Sequence, residues 1–404
     1  MFARFARSQW SIAIGLSLGP AVSNGLARFA YGLVLPAMRQ DLSWNYTLAG
    51  WINTANAVGY LIGALLALRY IGSVGPRRLF IGGLLLTSVA LLACGLTRDF
   101  WLLSAWRIAA GIGGAPTFIA GGAMAATLFK GDVSRNALAI AVYFGGGGLG
   151  MLLSGLSIPF LIEHASVGAW PLAWLLLACL AVIATPPAVL AAQAAPWSVP
   201  NIPGAASMAL PKQKMAAALI GYFLFAVAYI VYLTFLVAWM RAQGAGASLV
   251  ATTWGILGAA VMASPFPWRR VLARASGGGA LALACVATGV GTLLPLVVPG
   301  AAGLFISAAI FGLSFFIGPT AVTAFGRRNL PEAQWGRSVA LFTTVFAIGQ
   351  TLGPVAAGLI ADATHSLGAG LFAAGVALIS AALIAVRQRR LQPPEPTGVH
   401  SKVA

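Results

Sequence analysis

LGMLLSGL, residues 149–156, recurs as LGPVAAGL, residues 352–359, and both read L-G-x-x-x-small-G-L. A second pair precedes them in the same order, GAMAATLF at 122–129 and GPTAVTAF at 318–325, which share G-x-x-A-x-T-x-F. A third pair lies earlier still and consists of single residues: Tyr31, Leu35 and Ala37 match Tyr232, Leu236 and Ala238. One such match can arise by chance in an apolar sequence. Three in order predict a chain built from two similar halves.

The composition predicts where these halves lie. Of the 404 residues, 60% are hydrophobic and only 8% are charged, whereas soluble domains carry about 25% charged residues. The apolar runs are about 20 residues long, which suits a helix across a bilayer, and they lack the alternation of barrel strands. We therefore predict an all-α integral membrane protein with twelve transmembrane helices in two six-helix pseudo-repeats. The predicted spans are 11–36, 46–68, 79–97, 100–129, 137–162, 170–192, 215–239, 248–268, 277–298, 301–325, 338–361 and 367–386.

The basic residues test this count. If both termini face the cytoplasm, 19 of the 24 Lys and Arg residues fall in inside segments. Three fall in outside loops, Arg39, Arg98 and Arg241, and two lie within spans, Arg28 and Arg107. This bias follows the positive-inside rule, and a missed span would scramble it. Because the basic residues come in small groups between apolar runs, the net charge of +17 indicates loop charges and not a nucleic-acid surface.

The spans also define the predicted domains. Residues 191–214 are rich in Pro, Ala and Ser and separate the sixth span from the seventh. We predict an N-terminal bundle at 1–192, a cytoplasmic linker at 193–214, a C-terminal bundle at 215–386 and a cytoplasmic tail at 387–404. The N-terminus has the basic-then-apolar order of a signal peptide, but its apolar run continues to Met38, which favours an uncleaved first helix. The three cysteines are far apart without CxxC spacing, so we expect neither a disulfide framework nor a metal site.

Several stretches resemble the major facilitator superfamily, and within it the YbfB/YjiJ-type bacterial permeases. The resemblance covers essentially the whole chain, and it is carried by RFAYGLVLP (28–36), TANAVGYLIGALLA (54–67), YIVYLTFL (229–236) and FAIGQTLGPVAAGLIAD (346–362). RIAAGIGGA at 107–115 is similar to the R-x-x-x-G-x-G-G-A signature of the superfamily. The resemblance implies the major facilitator fold, in which the first and fourth helices line a central cavity, and a multi-pass protein of the bacterial inner membrane.

The same resemblance assigns gating or structural roles to a small set of residues. RYIGSVGPRR at 69–78 keeps the glycine and the two arginines of the loop after the second span, but it lacks the acidic residue of the usual cytoplasmic gate. The fifth span lacks the Gly-Pro pair of the antiporter motif, so export is not implied by it. The residues given gating or structural roles are Arg77, Arg78, Gly111, Gly353 and Pro354.

Two arginines interrupt the apolar spans. Arg28 lies ten residues before Met38, and Arg107 lies eight residues after Asp99, so both are expected in the outer half of the membrane or near its middle. An arginine at the bilayer centre costs about 2.5–3.5 kcal/mol on insertion scales, and none of the seven acidic residues falls in the middle of a span. Each guanidinium either binds an anionic substrate or takes part in coupling, or it bonds backbone carbonyls at a helix break and holds the fold.

Other polar and aromatic residues complete the candidate site. Asn24 and Tyr31 share a helical face with Arg28. The asparagines of the second span either form hydrogen bonds between helices or line the substrate pocket. The aromatic stripe of the seventh span either packs against neighbouring helices or lines that pocket. The candidate substrate-binding or coupling residues are Arg28, Asn24, Tyr31, Asn53, Asn56, Arg107, Tyr229, Tyr232 and Gln350. Glu163 and Asp362, each close to a histidine at a span end, are read as pH sensors or as solvated interfacial residues.

These features favour a secondary active transporter that moves a small organic anion by alternating access about a central cavity. We expect no enzyme activity and no ATP-driven step, since no nucleophile–base pair, metal cluster or phosphate loop is present. No cofactor is expected, although coupling to a proton gradient stays open. Because both halves belong to one chain, a monomer suffices. The alternatives are an efflux transporter of hydrophobic compounds and a non-transporting membrane sensor.

Overall fold

The computed structural model describes residues 8–129, 131–196 and 210–391, and this part of the chain is helical without strands. Ten of its helices are each long and apolar enough to cross a membrane, and a pair bent by 44° makes an eleventh. The twelfth is the first span, which three consecutive helical segments form together. The fold is therefore a twelve-helix bundle. Most of the predicted linker and of the predicted tail lies outside the described residues.

Each predicted span overlaps one observed span. The first six are Gln9–Pro20 with Ala21–Phe29 and Tyr31–Asp41, Tyr46–Val74, Pro76–Cys94, Phe100–Ala125, Val133–Ala165 and Trp170–Ala194. The last six are Ala216–Ala242, Ala247–Ala263 with Pro265–Arg274, Gly279–Val297, Gly300–Phe315 with Ile317–Asn329, Glu332–Thr364 and Leu367–Ala385. Six spans extend four or more residues beyond a predicted end because their helices continue past the apolar run into polar sequence: the first, second, fifth, eighth, tenth and eleventh. The fourth ends at Ala125, four residues before its predicted end.

The bundle has two chemically different ends. Loops after the odd-numbered spans form one end, which we call the acidic end because it carries Asp41, Asp99, Glu163 and Asp362. Loops after the even-numbered spans form the opposite, basic end. At the basic end Arg77 donates to the carbonyls of Ala192 and Ala195, at 3.0 and 3.4 Å, which ties the third span to the sixth.

The two halves meet along three pairs of spans. The second span packs against the eleventh, the fifth against the eighth, and the first against the seventh. Because the second span corresponds to the eighth and the fifth to the eleventh, the first two pairs are the same contact repeated by the internal symmetry.

Corresponding glycines allow close helix packing within each half. A Cβ at Gly150 of the fifth span would lie 2.3 Å from the carbonyl oxygen of Ala21 in the first span. A Cβ at Gly353 of the eleventh span would lie 2.0 Å from the carbonyl oxygen of Val227 in the seventh. Backbone therefore meets backbone at both places, which is the close approach that small residues permit in membrane bundles.

The first span is not a regular α-helix. Its middle segment, Ala21–Phe29, is a π-helix, and the amide of Ala30 donates to the carbonyl of Gly25, five residues back, at 3.1 Å. The π geometry widens the turn on which Asn24 and Arg28 lie. Such segments often occur at functional sites because they leave backbone groups free and redirect side chains.

Candidate functional site

Arg28 projects from the π-helical segment to the interface between the halves. Its side chain is only 4% exposed, and its Nη2 donates to the hydroxyl of Tyr229, at 3.1 Å, and to Oε1 of Gln350. Both partners belong to the C-terminal half, 201 and 322 residues away in sequence. We call Arg28, Tyr60, Tyr229 and Gln350 the Arg28 centre.

Neutral groups surround the charge. The guanidinium lies over the ring of Tyr60, 4.8 Å from its centroid, a cation–π contact from the second span. Tyr229 in turn donates to Oε1 of Gln350 at 3.3 Å. Among the described residues, no carboxylate forms a salt bridge with Arg28. The positive charge is therefore solvated by protein dipoles but is not neutralised by them.

Several buried polar atoms in the Arg28 centre and on the π-helical segment have no hydrogen-bond partner among the described residues. Nε2 of Gln350 is one, and Oδ1 of Asn24 and Oγ of Ser23 on the π-helical segment are two others. All three side chains are buried. A buried polar group without a partner costs about 1–3 kcal/mol. A ligand that gave Nε2 of Gln350 an acceptor would recover that cost, which favours binding at the Arg28 centre.

An aromatic layer lies against the centre on the side of the C-terminal half. The ring of Tyr229 stacks on Phe225, Phe346 and Phe315, with centroid distances of 5.4, 5.4 and 5.8 Å. Phe29, next to Arg28, meets Phe315 edge-on at 5.8 Å. These contacts fix the ring of Tyr229, so its hydroxyl has a defined position opposite the guanidinium.

Arg107 has different surroundings. It is fully buried, and it donates to the carbonyl of Ala27 through Nη1 and to the carbonyl of Ile52 at 3.5 Å through Nε. Its guanidinium lies 5.3 and 5.2 Å from the rings of Tyr31 and Trp174. Its Nη2 has no partner among the described residues. Arg107 thus joins the fourth span to the first and second, and Ala27 lies within the π-helical segment that presents Arg28.

The remaining candidates bond elsewhere. Tyr31 donates to the carbonyl of Ala49 at 2.6 Å, and the hydroxyl of Tyr232 lies 2.7 Å from that of Ser307. Asn56 donates to the carbonyl of Arg107 at 3.1 Å. The structure does not bring these three side chains into hydrogen-bond contact with Arg28.

Asn53 also lies away from Arg28, but it crosses the interface. Its Nδ2 donates to the hydroxyl of Thr234 in the seventh span at 2.6 Å. Thr54 crosses in the same region and donates to the carbonyl of Thr351 in the eleventh span at 2.8 Å. Both contacts link the second span to the C-terminal half.

The residues with predicted gating or structural roles fall in three places. Arg77 holds the sixth span, as described above, and Arg78 beside it is exposed. A Cβ at Gly111 would lie 2.2 Å from the carbonyl oxygen of Asn56, so this glycine permits the close contact of the fourth span with the second. Gly353 and Pro354 lie on the eleventh span, where the carbonyl oxygen of Pro354 approaches Gly50 of the second.

Sequence reasoning missed three kinds of residue. Tyr60 shares a face with Asn56, which was a usable signal, but Thr234 and Ser23 have no sequence signal that separates them from packing residues. Glu163 and Asp362 were read as pH sensors or solvated groups, yet both accept hydrogen bonds from backbone amides of the opposite half. The available signal was an acidic residue two positions before the end of each of these corresponding helices.

The profile of a family described as an uncharacterised MFS-type transporter, YbfB, matches residues 20–386. The chain belongs to this family of the major facilitator superfamily. It is therefore a multi-pass membrane protein of transporter type. No functionally curated protein matches the chain.

Solved structures of MFS transporters share the fold. The nucleoside transporter NupG matches with a TM-score of 0.67 at 13% identity, over 93% of this chain and 97% of the other. A mutant of NupG matches with a TM-score of 0.68 at 12% identity, over 93% and 98%. An inward-facing bacterial homolog of the human lysosomal transporter Spinster matches with a TM-score of 0.66 at 16% identity, over 94% and 96%. At these identities the similarity concerns the fold alone.

Proposed function

We propose that this MFS protein is a secondary active transporter of a small organic anion, with Arg28 as the residue that binds the anionic group. The observation that carries the proposal is the pairing of a buried, permanently charged guanidinium with neutral acceptors of the other half. A carboxylate or similar anion accepts bidentate hydrogen bonds from arginine more strongly than an amide oxygen does. An anion therefore competes well with Gln350 for Arg28.

The same pairing supports alternating access. Arg28 belongs to the N-terminal half, whereas Tyr229 and Gln350 belong to the C-terminal half. An anion that displaces Gln350 from Arg28 breaks a contact between the halves and offers a new acceptor to Nε2 of Gln350, which has no described partner. Binding is in this way linked to the relative position of the two halves, as transport by rocking of repeats requires.

Several further features of the proposal rest on charge and chain organisation. We assign the basic end, and with it both termini, to the cytoplasm of a bacterial inner membrane because of the arginine and lysine bias. A monomer suffices because both sides of the Arg28 centre come from one chain. We propose no enzyme activity and no cofactor. If a proton gradient drives transport, we expect the proton to travel with the substrate, because no described carboxylate is paired with Arg28.

Efflux of hydrophobic compounds is the second candidate function. The aromatic layer on Tyr229 favours it, because stacked rings also bind flat apolar molecules and cations. A positive charge at Arg28 repels cationic compounds, and for that reason we place the anion first.

Thermal unfolding of the purified protein tests the two candidates. A ligand that binds only the folded form raises the melting temperature by mass action. At a ligand concentration of 100 times its Kd, the free energy of unfolding rises by about 2.7 kcal/mol. We expect small carboxylates to stabilise the wild type, and Arg28→Gln to remove that shift. Arg39→Gln is the matched control, because Arg39 lies on the first span but stacks on Tyr46 near the acidic end, 3.9 Å from the ring centroid.

Two results would count against the anion. Stabilisation by apolar cations in preference to acids would favour the efflux candidate. A carboxylate shift that survives in Arg28→Gln would move the binding site away from the Arg28 centre. Movement of the stabilising acid across proteoliposome membranes then separates a transporter from a protein that binds without transporting.

A further inference from the structure

Asp362 joins the two halves at the acidic end. It lies near the end of the eleventh span, and its carboxylate faces the start of the second span. Oδ1 accepts from the amide of Tyr46 at 2.9 Å, and Oδ2 accepts from the amide and the hydroxyl of Thr47 at 2.9 and 2.6 Å. Tyr46 is the first residue of that helix. A carboxylate from one half therefore accepts from the first two amides of a helix in the other half, next to that helix's own N-cap, Asn45.

Glu163 makes the corresponding contact on the other side of the interface. It lies near the end of the fifth span, and its Oε1 accepts from the amide of Ala247 at 2.8 Å. Ala247 is the first residue of the eighth span, and its helix has no side-chain cap of its own. Arg241, also in the C-terminal half, adds an ion pair to the same oxygen at 3.6 Å.

The internal repeat relates these two contacts. The fifth span corresponds to the eleventh, and the eighth corresponds to the second. Counted from the shared L-G-x-x-x-small-G-L stretch, Glu163 lies four residues further along its helix than Asp362, about one turn, which keeps it on the same helical face. Each carboxylate lies two residues before the end of its helix. Hydrogen-bond donors and the positive end of the helix dipole make a helix N-terminus a favourable site for a carboxylate. A carboxylate at the N-terminus of a helix of the other half therefore occurs twice, once on each side of the interface. We would not expect unrelated packing contacts to repeat in this way.

We propose that Asp362 and Glu163 are a pair of latches that hold the acidic end closed, and that both release when this end opens. The proposal deepens the proposed transport function and rests on it, since it describes one step of the alternating-access cycle. Separation of the second span from the eleventh leaves Asp362 without its backbone donors. Separation of the fifth from the eighth does the same to Glu163. Both groups then exchange protein donors for water, so opening is reversible and carries a defined energetic cost.

Asp41 provides a matched control at the same end of the bundle. Its Oδ2 accepts from Arg98 and, at 2.8 Å, from Nε1 of Trp170, and all three residues belong to the N-terminal half. Loss of this charge disturbs the acidic end without releasing one half from the other. A role in gating predicts different effects for Asp41 and for the latches, whereas a general role in stability predicts similar ones.

The test measures opening directly and needs no substrate. Thr234 is fully buried between the halves near the acidic end, and Thr234→Cys places a thiol there with little change in volume. The exposed Cys179 is replaced by Ser in the same background. A membrane-impermeant maleimide added to right-side-out vesicles then reports access from the acidic side. We expect Asp362→Asn combined with Glu163→Gln to raise the labelling rate about tenfold, which corresponds to about 1.4 kcal/mol.

The outcomes are distinct. Faster labelling in the double latch variant, smaller increases in the two single variants, and an unchanged rate in Asp41→Asn support the latches. An unchanged rate in the double variant overturns the proposal, and so does an equal increase in Asp41→Asn. Melting temperatures of the variants show whether a rise in labelling reflects unfolding, which would also overturn it. Since labelling requires no ligand, the latches can fail while anion binding at Arg28 stands, and the reverse.

Discussion

At the residue scale, Gln350 decides whether the charge of Arg28 is free for a ligand. Gln350→Glu places a carboxylate where a neutral amide now accepts from the guanidinium. We expect a fixed internal ion pair that keeps the melting temperature at or above that of the wild type, because the buried cation gains a counterion. The same change should abolish stabilisation by added carboxylates, since the internal carboxylate occupies their place. Thermal unfolding with and without the acid measures both effects.

Gln350→Leu separates the effect of charge from the effect of altered packing. It removes the acceptor and leaves Arg28 with fewer partners, so we expect a loss of about 1–3 kcal/mol of stability. Added carboxylates should still stabilise this variant, because nothing replaces the anion. A variant Gln350→Glu that still responds to acids as the wild type does would contradict the view that Gln350 and the anion compete.

The sequence identified Arg28, Tyr229 and Gln350 as candidates, but it did not predict that they contact one another. They are separated by 201 and 322 residues, and no local pattern encodes such a contact. Burial of charge in an apolar run is visible in one dimension, whereas the choice of partner is set by how the helices pack. The same limit explains why the sequence did not separate Arg107 from Arg28. In the structure Arg107 donates to backbone carbonyls, whereas Arg28 donates to side chains of the other half.

At the element scale, the π-helical segment positions Arg28, and it depends on close contact with the fifth span. A Cβ at Gly25 would lie 2.5 Å from Cα of Gly150 and 2.7 Å from the carbonyl oxygen of Gly147. Gly25→Ala therefore forces backbone away from backbone. We expect a loss of about 1–3 kcal/mol of stability and a weaker response to carboxylates, measured by thermal unfolding.

The control for this element is Gly255→Ala on the eighth span. A Cβ there would meet only Leu152 and Leu156, at ordinary distances of 3.6 and 3.7 Å. We expect this variant to behave like the wild type in both measurements. Equal behaviour of Gly25→Ala would show that the π-helical segment can shift without loss of the anion site.

The spans themselves were predictable because an apolar run of membrane length has few other stable conformations in a bilayer. The π-helical segment was not, because Ala21–Phe29 has no composition that distinguishes it from an α-helix. Residues of other spans stabilise its geometry. The guanidinium of Arg107 in the fourth span donates to the carbonyl of Ala27, and the glycines of the fifth span allow close backbone contact. A tertiary contact of this kind leaves no local trace in the sequence.

At the scale of the whole molecule, the repeat predicted two similar halves, and the structure pairs them by the same contact twice. The conformation of the molecule, meaning which end of the bundle holds the halves together, could not be predicted from the repeat. Under the proposed rocking of the halves, one sequence encodes every conformation of the cycle, so it does not specify which end is closed. Polar contacts such as those of Asp362 with Thr47 and of Glu163 with Ala247 join the halves at the acidic end, and only the three-dimensional structure reveals them.

A reversible cross-link across the acidic end tests whether the halves must separate there for transport. Thr47→Cys with Asp362→Cys puts two thiols where side chains of the second and eleventh spans now bond directly. A short reagent that joins them through disulfides should stop movement of the stabilising acid into proteoliposomes, and a reductant should restore it. Asp41→Cys with Arg98→Cys is the control pair, because both residues belong to the N-terminal half.

The cross-link should leave binding intact. The Arg28 centre lies about 20 Å below the acidic end by helix rise, so a lock at that end leaves the residues of the centre untouched. We therefore expect the linked protein to be stabilised by the acid but not to transport it. That result would show that binding at the Arg28 centre does not depend on opening of the acidic end. Undiminished transport in the linked protein would instead mean that the halves do not part at the acidic end, and alternating access by rocking would be wrong for this chain.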